Sequence, residues 1–435
     1  MRIGLAAGAA IATTHCSRPD APLGTPNNPA RGPQVNRNTI RDVTLRFIGT
    51  GQAQIHEIRK TAEEDLGFNI DMLAYTLDES VRVAISEPEK YDLFVGDYFV
   101  LPKLILSKSL QAINIQRIGE FDKINPFFTQ GKFKGRAVED SQGTTPYQVM
   151  YVTGSDATEF ARQPTDFATL IPFQYSADTL GYRPDLTERA IASWGELFNE
   201  DFQGTVALLD SPQMGSIDAA LAAEARGLMQ FADKGNMTRE EIDQLVDLLI
   251  EQKLNGQFRG LWKTVDESVD WMVKGDVALQ SMWIPAVATL KSRGFDCVYG
   301  ELREGYRGWS NGIGLSRHLS GIALDAAYEY LNWMLEGWAG AFLFRQGYYN
   351  AIPANARKYM SQSEWGFWYE GKPSSGPVID PFDRRLERRG TFRDGGGFEE
   401  RFGKIVCWNS MMDENDYLVT RWNEFVTTKF PQEAS

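Results

Sequence analysis

Between residues 42 and 99 the chain changes hydrophobic period four times, and that rhythm restricts its folds more than any other feature. The stretch "DVTLRFIGTG" (42–51) alternates Val43, Leu45 and Phe47 with polar neighbours, the period of a strand, and ends in a Gly-Thr-Gly turn. "QAQIHEIRKTAEEDLG" (52–67) then sets Ile55, Ile58, Ala62 and Leu66 at helical spacing. A strand, "FNIDMLAYT", a helix, "DESVRVAISEP", and a buried-looking strand, "YDLFVGDYF" (91–99), complete the series. Strand, helix, strand, helix, strand is the alternation of a parallel sheet covered by helices. Ligands collect beyond the carboxyl ends of such strands, where Thr50, Gly51 and Gln52 follow the first and Asp97 and Tyr98 the third. Thr50–Gln52 are also expected at the N-terminus of the first helix, where free backbone N–H groups favour anions.

The pattern restarts further on. "LIPFQYSADTLGYRPDL" (170–186) reads as a strand running into an extended segment with a turn at Arg183-Pro184-Asp185. A helix, a strand from Thr205 to Leu209, a Ser-Pro-Gln-Met-Gly loop and an Ala-rich helix follow, then helices near 239–252 and 264–274 and the strand "VALQSMW". A single long helix is expected over 324–347, with Trp333 and Trp338 in the core. At 435 residues the chain is long enough for two such units, each with its own core. The formal net charge of −13 argues against nucleic acid as a partner and permits a cationic small molecule. Cys16, Cys297 and Cys407 form no metal-ligand spacing, and the latter two are expected as buried small hydrophobes rather than a disulfide. No metal or cofactor is expected.

Residues 1–16 carry one arginine and then a run of small apolar residues too short to span a bilayer, the outline of an export signal. Residues 17–39, rich in Pro, Asn and Gly, read as a flexible tether. Export to the periplasm is the expectation; a lipid anchor through Cys16 is disfavoured because His15 does not suit that cleavage site. No later stretch approaches 18 apolar residues.

"GWSNG" (308–312) fits the G-x-S-x-G pattern of a serine nucleophile on a strained strand-to-helix turn. A nucleophilic serine needs a base within hydrogen-bond reach, and such enzymes order the triad Ser, acid, His. Of the three histidines, His15 lies in the leader and His56 far upstream, while His318 follows Ser310 with no carboxylate between. A secreted serine hydrolase using Ser310 is therefore the weaker reading. Trp309 is the stronger candidate, its flanking glycines expected to let a ligand approach closely.

The phrases "YDLFVGDYFVLPKLILSKSLQAI", "ADTLGYRPDL", "SWGELFNEDFQGTVALLDSP", "WMVKGDVALQSMW" and "GYYNAIPANA" occur in one order over about 90–355. Together they resemble the extracellular solute-binding proteins of ABC importers, in the family that includes the spermidine/putrescine-binding proteins. The resemblance implies an α/β fold of two lobes joined by crossing hinge strands, with ligand in the cleft between them. It implies one lobe from 40–174 and 310–352 and another from 175–309 and 353–435, acting as a monomer that delivers solute to an ABC transporter permease without covalent chemistry. In polyamine binders the matching strand resembles an aromatic residue followed two places on by an acid. Here the pair is Trp309 and Asn311, so the shelf is kept and the charge is absent. Tyr98, Trp283 and Tyr348 stand where the family places aromatic cleft residues, and Asp97, Asp178 and Asp210 are candidate anchors for a cation. "GTGQ" replaces an aromatic-rich turn, and "DSPQMGS" lacks a second acid. The expected solute is small, polar and amine-bearing, polyamine-like or related, and shorter or less charged than a diamine. A zwitterion is the alternative in the same fold, as is a small organic anion, for which Thr50–Gln52 would be the anchor. The role of 365–435 does not follow from the sequence.

Overall fold

The computed structural model describes residues 40–51, 54–138 and 141–430, so Gln52, the leader with His15 and Cys16, and the tether lie outside the described residues. The first alternation forms β1 (Thr44–Thr50), α1 (His56–Leu66), β2 (Asn69–Tyr75), α2 (Leu77–Ser86) and β3 (Leu93–Asp97). Helix α1 buries Ile58, Ala62 and Leu66 on one stripe and stops where Gly67 takes the left-handed conformation. Thr76 and Glu79 close a capping box at the start of α2. Strand β1 pairs in parallel with both β2 and β3, as the alternation requires.

The second unit supplies β4 (Ile171–Tyr182), β5 (Val206–Leu209), α3 (Pro212–Ala225), α4 (Arg239–Leu254), β6 (Phe258–Trp262), α5 (Val265–Lys274), β7 (Leu279–Met282) and α6 (Ile284–Ser292). One long strand, β8 (Tyr306–Ser316), returns to the first unit, followed by α7 (Gly321–Leu335), α8 (Trp338–Arg345), β9 (Ile405–Trp408) and α9 (Asn415–Thr427). The main sheet runs β6-β5-β7-β4-β8-β3-β1-β2. Its two central strands are the crossing strands. Residues 171–178 of β4 pair with β8, while Thr179–Tyr182 pair with β7. Strand β8 in turn pairs with β3 through Asn311–Leu315.

Buried side chains divide at this crossing. Leu45, Phe47, Phe94, Tyr175 and Leu331 belong to one cluster, whereas Leu180, Trp194, Leu208 and Leu249 belong to a second. Successive residues of β5 point to opposite faces, so Ala207 and Leu209 enter a third cluster with Trp262 and Leu290 on the other side of the second unit's sheet. The result is an α/β architecture of two lobes.

Three local expectations change. The Ser-Pro-Gln-Met-Gly segment is no loop: α3 starts at Pro212, whose fixed φ and missing N–H suit the first helical position. The long helix breaks into α7 and α8 at Gly337, whose φ of 121° lets the backbone pass the Asn355 carbonyl; a Cβ there would lie 2.3 Å from that oxygen. The C-terminal region divides its packing. Trp365, Phe398, Phe402 and Trp408 are buried in the first cluster, with Phe402 on Tyr175 at 5.4 Å, and Leu418, Trp422 and Phe425 of α9 in the second. Cys297 and Cys407 are free and buried. Among the described residues no helix is long and apolar enough to cross a membrane.

Candidate functional site

Register fixes which side chains share a face where the lobes meet. Opposite residues on paired strands point the same way. Arg307, Trp309 and Asn311 of β8 lie opposite Asp178, Ser176 and Gln174 of β4, and Asn311 also lies opposite Asp97 of β3. One face of three adjacent strands therefore gathers two acids, an arginine, two carboxamides, a serine and an indole. The other face carries Tyr175, Ser310 and the glycines of β8.

At the centre Arg307 is 1% exposed. Its Nε donates to Asp218 Oδ1 at 2.7 Å, Nη2 to Asp178 Oδ2 at 3.2 Å and Nη1 to Asn409 Oδ1 at 2.7 Å. Asp178 Oδ1 accepts from the Trp309 indole N–H and from the Tyr299 hydroxyl, both at 2.9 Å. Both oxygens of Asp178 are thus committed to the protein, and its carboxylate sets the plane of the Trp309 ring. Burial raises the pKa of Asp178, opposed by the charge of Arg307 and the hydrogen bonds from Trp309 and Tyr299. Burial also pushes Asp218 up to about 6, opposed by Arg307. Burial works against the Arg307 charge, but Asp218 and Asp178 outweigh it and hold the guanidinium above its ordinary range.

A second chain of polar groups crosses the strands beside this one. The carboxamide orientation that satisfies both neighbours has Asn311 donating to Asp97 Oδ1 at 3.0 Å and Oδ2 at 3.2 Å and accepting from Gln174 Nε2 at 3.1 Å. Asp97, half-buried and without a basic partner at ion-pair distance among the described residues, is pushed up to about 7 by burial; Arg307 opposes the shift and Asp178 adds to it, while the Asn311 amide donating to the carboxylate favours its ionised form. Half-buried Trp309 meets Tyr348 edge-on at 5.6 Å between ring centres. Trp309 stands two residues along β8 from Asn311, the position opposite Asp97, on the same face of the sheet, and an indole and a carboxylate sharing a face are suited to an ammonium group, through attraction to the ring and a charge-assisted hydrogen bond.

The other sequence candidates fall into different surroundings. Tyr98 is 2% exposed and points into the core, donating to the Leu170 carbonyl at 3.0 Å. Half-buried Trp283, at the start of α6, packs edge-on against Trp262 at 4.9 Å. Asp210 accepts from the Trp422 indole at 2.9 Å and pairs with Lys263 at 3.3 Å. Thr50 ends β1 opposite Tyr75, with Gly51 exposed after it. The expected helix N-terminus is not at Thr50–Gln52, because α1 begins at His56 with Ile55 as its N-cap. Its orphan N–H groups are displaced along the chain, which removes the anion argument for Thr50 and Gly51. The glycines around Trp309 also serve another purpose. A Cβ at Gly308 would meet the Trp408 ring at 2.8 Å, and one at Gly312 would meet Leu170 at 2.6 Å, so they admit core side chains on the opposite face.

Ser310 sits mid-strand, 3% exposed, and its hydroxyl has no partner among the described residues. The strand-to-helix turn of a nucleophile elbow is absent there. Sequence reading missed Arg307, Asp218, Gln174 and Tyr299. The available signal was a charge inside an otherwise small or apolar run, in "YRGWSNG" and in "SIDAALAA".

A model of the bacterial extracellular solute-binding protein family matches residues 79–365. No curated protein matches. Among solved structures, the spermidine/putrescine ABC transporter substrate-binding protein PotD from Streptococcus pneumoniae is similar with a TM-score of 0.58 at 12% identity, over 88% of this chain and 99% of that one. A GABA receptor gives a TM-score of 0.59 at 14% identity, over 89% of this chain and 98% of that one. The binding protein AgtB from A. tumefaciens R10, in complex with agropinic acid, gives 0.57 at 12% identity, over 88% and 98%. At these identities the likeness carries the fold.

Proposed function

The chain belongs to the bacterial extracellular solute-binding protein family, and from that premise we propose that it captures a small amine-bearing solute over Trp309 and hands it to the permease of an ABC importer. The observation that carries this reading is a half-buried indole, fixed by Asp178, on the same sheet face as a carboxylate, Asp97, that has no basic partner at ion-pair distance among the described residues. Asp178 and Asp210 are consumed by Arg307, Trp422 and Lys263, which leaves one acid for the ligand. A solute with one cationic end fits that count; a diamine, which needs an acid at each end, does not. The solved relatives named for polyamines, GABA and agropinic acid support the fold's capacity for nitrogenous solutes of differing charge.

The proposed mechanism is closure about the crossing strands, with contacts to both lobes shifting the population from open to closed. Ile284 at the start of α6 already abuts Gly347 beside Tyr348, which supports a cleft that both lobes wall. The proposed lobes divide near residues 175 and 310. The burial of Trp365, Phe398 and Phe402 supports moving 353–402 from the second lobe, where sequence reading puts it, to the first. The location we propose is the periplasm, with the protein acting as a monomer.

A thermal-shift panel of putrescine, spermidine, quaternary amines, monoamines, amino acids and small carboxylates tests the reading, since a ligand specific for the folded state raises the melting temperature by mass action. Monoamines or amino acids should shift it most. Replacing Trp309 with alanine should weaken the best amine by about 2 kcal/mol, some thirtyfold. A response to carboxylates alone would overturn the amine assignment.

A further inference from the structure

A cavity lies where α6 of one lobe meets Gln346 and residues between 367 and 401. Its floor holds three cations. Lys291 is neutralised there by Glu387 and by Asp394 at 2.9 Å. The other two are buried guanidiniums with no carboxylate at ion-pair distance among the described residues. Arg393, 7% exposed, donates to the backbone carbonyls of Trp368 and, at 2.7 Å, Gly347. Arg401, 1% exposed, donates to the carbonyls of Asp394 at 3.1 Å and Ala177 at 2.8 Å. Aromatic rings supply the rest of their surroundings: Tyr349 lies 4.8 Å from Arg393, and Tyr299 lies 4.8 Å from Arg401.

Buried charge is costly unless it is paired. Burial, which outweighs the charge of Asp394, draws the Arg393 pKa down. The wall carries three cations against two carboxylates. The next acid, Asp178, reaches it only through the Tyr299 hydroxyl and is already bound to Arg307. Trp368 also lines the cavity, 6% exposed, and its indole N–H has no partner among the described residues. The free volume is about 40 Å³. A water-sized atom needs roughly 10–15 Å³, so about three such atoms fit, the size of a carboxylate group.

We propose that this cavity is a carboxylate subsite, in which Arg393 and Arg401 supply the charge and the Trp368 indole N–H a directed hydrogen bond. The carboxylate comes either from a free small anion or from the acidic end of the solute in the cleft. Tyr299 walls the cavity and shares Asp178 with Trp309, which places the two sites on either side of one side chain.

The test is thermal unfolding of the full chain with sodium acetate, at ionic strength held by the bulky sulfonate PIPES, in the wild type and in Trp368→Phe, which keeps the ring and removes the donor. Parallel arms compare pentylamine with 5-aminopentanoate. If the anion is free, acetate raises the wild-type melting temperature in proportion to the logarithm of its concentration, its effect adds to that of pentylamine, and Trp368→Phe weakens it at least threefold. If the carboxylate belongs to the solute, 5-aminopentanoate binds at least tenfold more tightly than pentylamine, acetate competes with it, and Trp368→Phe erases the advantage. Either result supports the subsite. The acetate arm does not use the cleft, so it fails or succeeds independently of the amine assignment. No acetate effect together with no advantage for the amino acid, or a folded Trp368→Phe variant indistinguishable from wild type in every arm, would overturn the proposal.

Discussion

Asparagine in place of Asp97 should make the unliganded protein more stable at pH 8 while weakening its hold on an amine. The Asp97 carboxyl is pushed up to about 7 in the folded protein from an ordinary 3.8, chiefly by burial. The folded state keeps this proton through a range in which the unfolded state has lost it. Stability therefore falls as pH rises from about 4 to about 7, and is flat above. At about 1.4 kcal/mol per pH unit that shift would cost about 4 kcal/mol; partial solvent access and the Asn311 amide, which stabilises the ionised form, reduce it, and we take ~2 kcal/mol. Asparagine has the same shape and still offers Asn311 an acceptor. Urea unfolding should thus find Asp97→Asn more stable by about 2 kcal/mol at pH 8 and by less than about 1 kcal/mol at pH 5. Calorimetric titration of an amine should show the opposite ranking, because a hydrogen bond to an ionised group contributes about 1.5–3 kcal/mol, a loss of ten- to a hundredfold. Wild-type affinity should also climb from pH 5 to pH 8 as the carboxyl gives up its proton, and the variant's should not. A variant less stable than wild type at pH 8, or a stability difference independent of pH, would refute the reasoning.

Arg307→Met leaves Asp178 and Asp218 buried without their cation, and should cost about 3–5 kcal/mol in urea unfolding at pH 8, with part of the loss recovered at pH 5 as the acids protonate; a change under about 1 kcal/mol would contradict the network. Gly337→Ala forces a Cβ against the Asn355 carbonyl at 2.3 Å in a backbone conformation alanine avoids, so unfolding should detect a loss of at least about 2 kcal/mol; a neutral outcome would mean the α7–α8 break tolerates a side chain. Ser310→Ala removes a buried hydroxyl that has no partner among the described residues, and should be neutral or stabilising by about 1 kcal/mol with solute binding unchanged. Loss of binding in that variant would return Ser310 to the site.

The architecture was legible because its signals are local. Val43, Leu45 and Phe47 report a strand, and Ile58, Ala62 and Leu66 a helix stripe, without reference to any distant residue. What escaped were effects of distant partners. Nothing near Gly337 in sequence announces that the Asn355 carbonyl will lie against it, and the apolar pattern on either side runs on as if one helix continued. The Pro212 helix start was legible in principle, since proline at the first helical position is common, but the following Gln-Met-Gly reads equally as a turn. The aromatic residues of 365–402 carry no strong period, so their place against Tyr175 and Tyr349 depended on a fold that only the three-dimensional arrangement supplies.

For the site the missing quantity was register. Alternation along β8 puts Arg307, Trp309 and Asn311 on one face whatever the pairing, and that much is sequence. Whether the face meets Asp178 or Ala177 depends on a single-residue offset against β4, which no local pattern fixes. With the observed offset, Asp178 holds the Trp309 indole N–H, and the acid we propose for a cation is Asp97, opposite Asn311. A polyamine-type strand places its acid two positions after the aromatic residue. Here that position holds Asn311, whose amide donates to Asp97, so the charge stands one strand away rather than being lost. An acid displaced in this way is half-buried beside an amide and not fully ionised at neutral pH. A cation held there must therefore displace a proton from the carboxyl, and proton release on binding should shrink as pH rises from 6 to 8. Titration in two buffers of different ionisation enthalpy measures that release, and equal apparent enthalpies at pH 6 would place the ammonium somewhere other than Asp97.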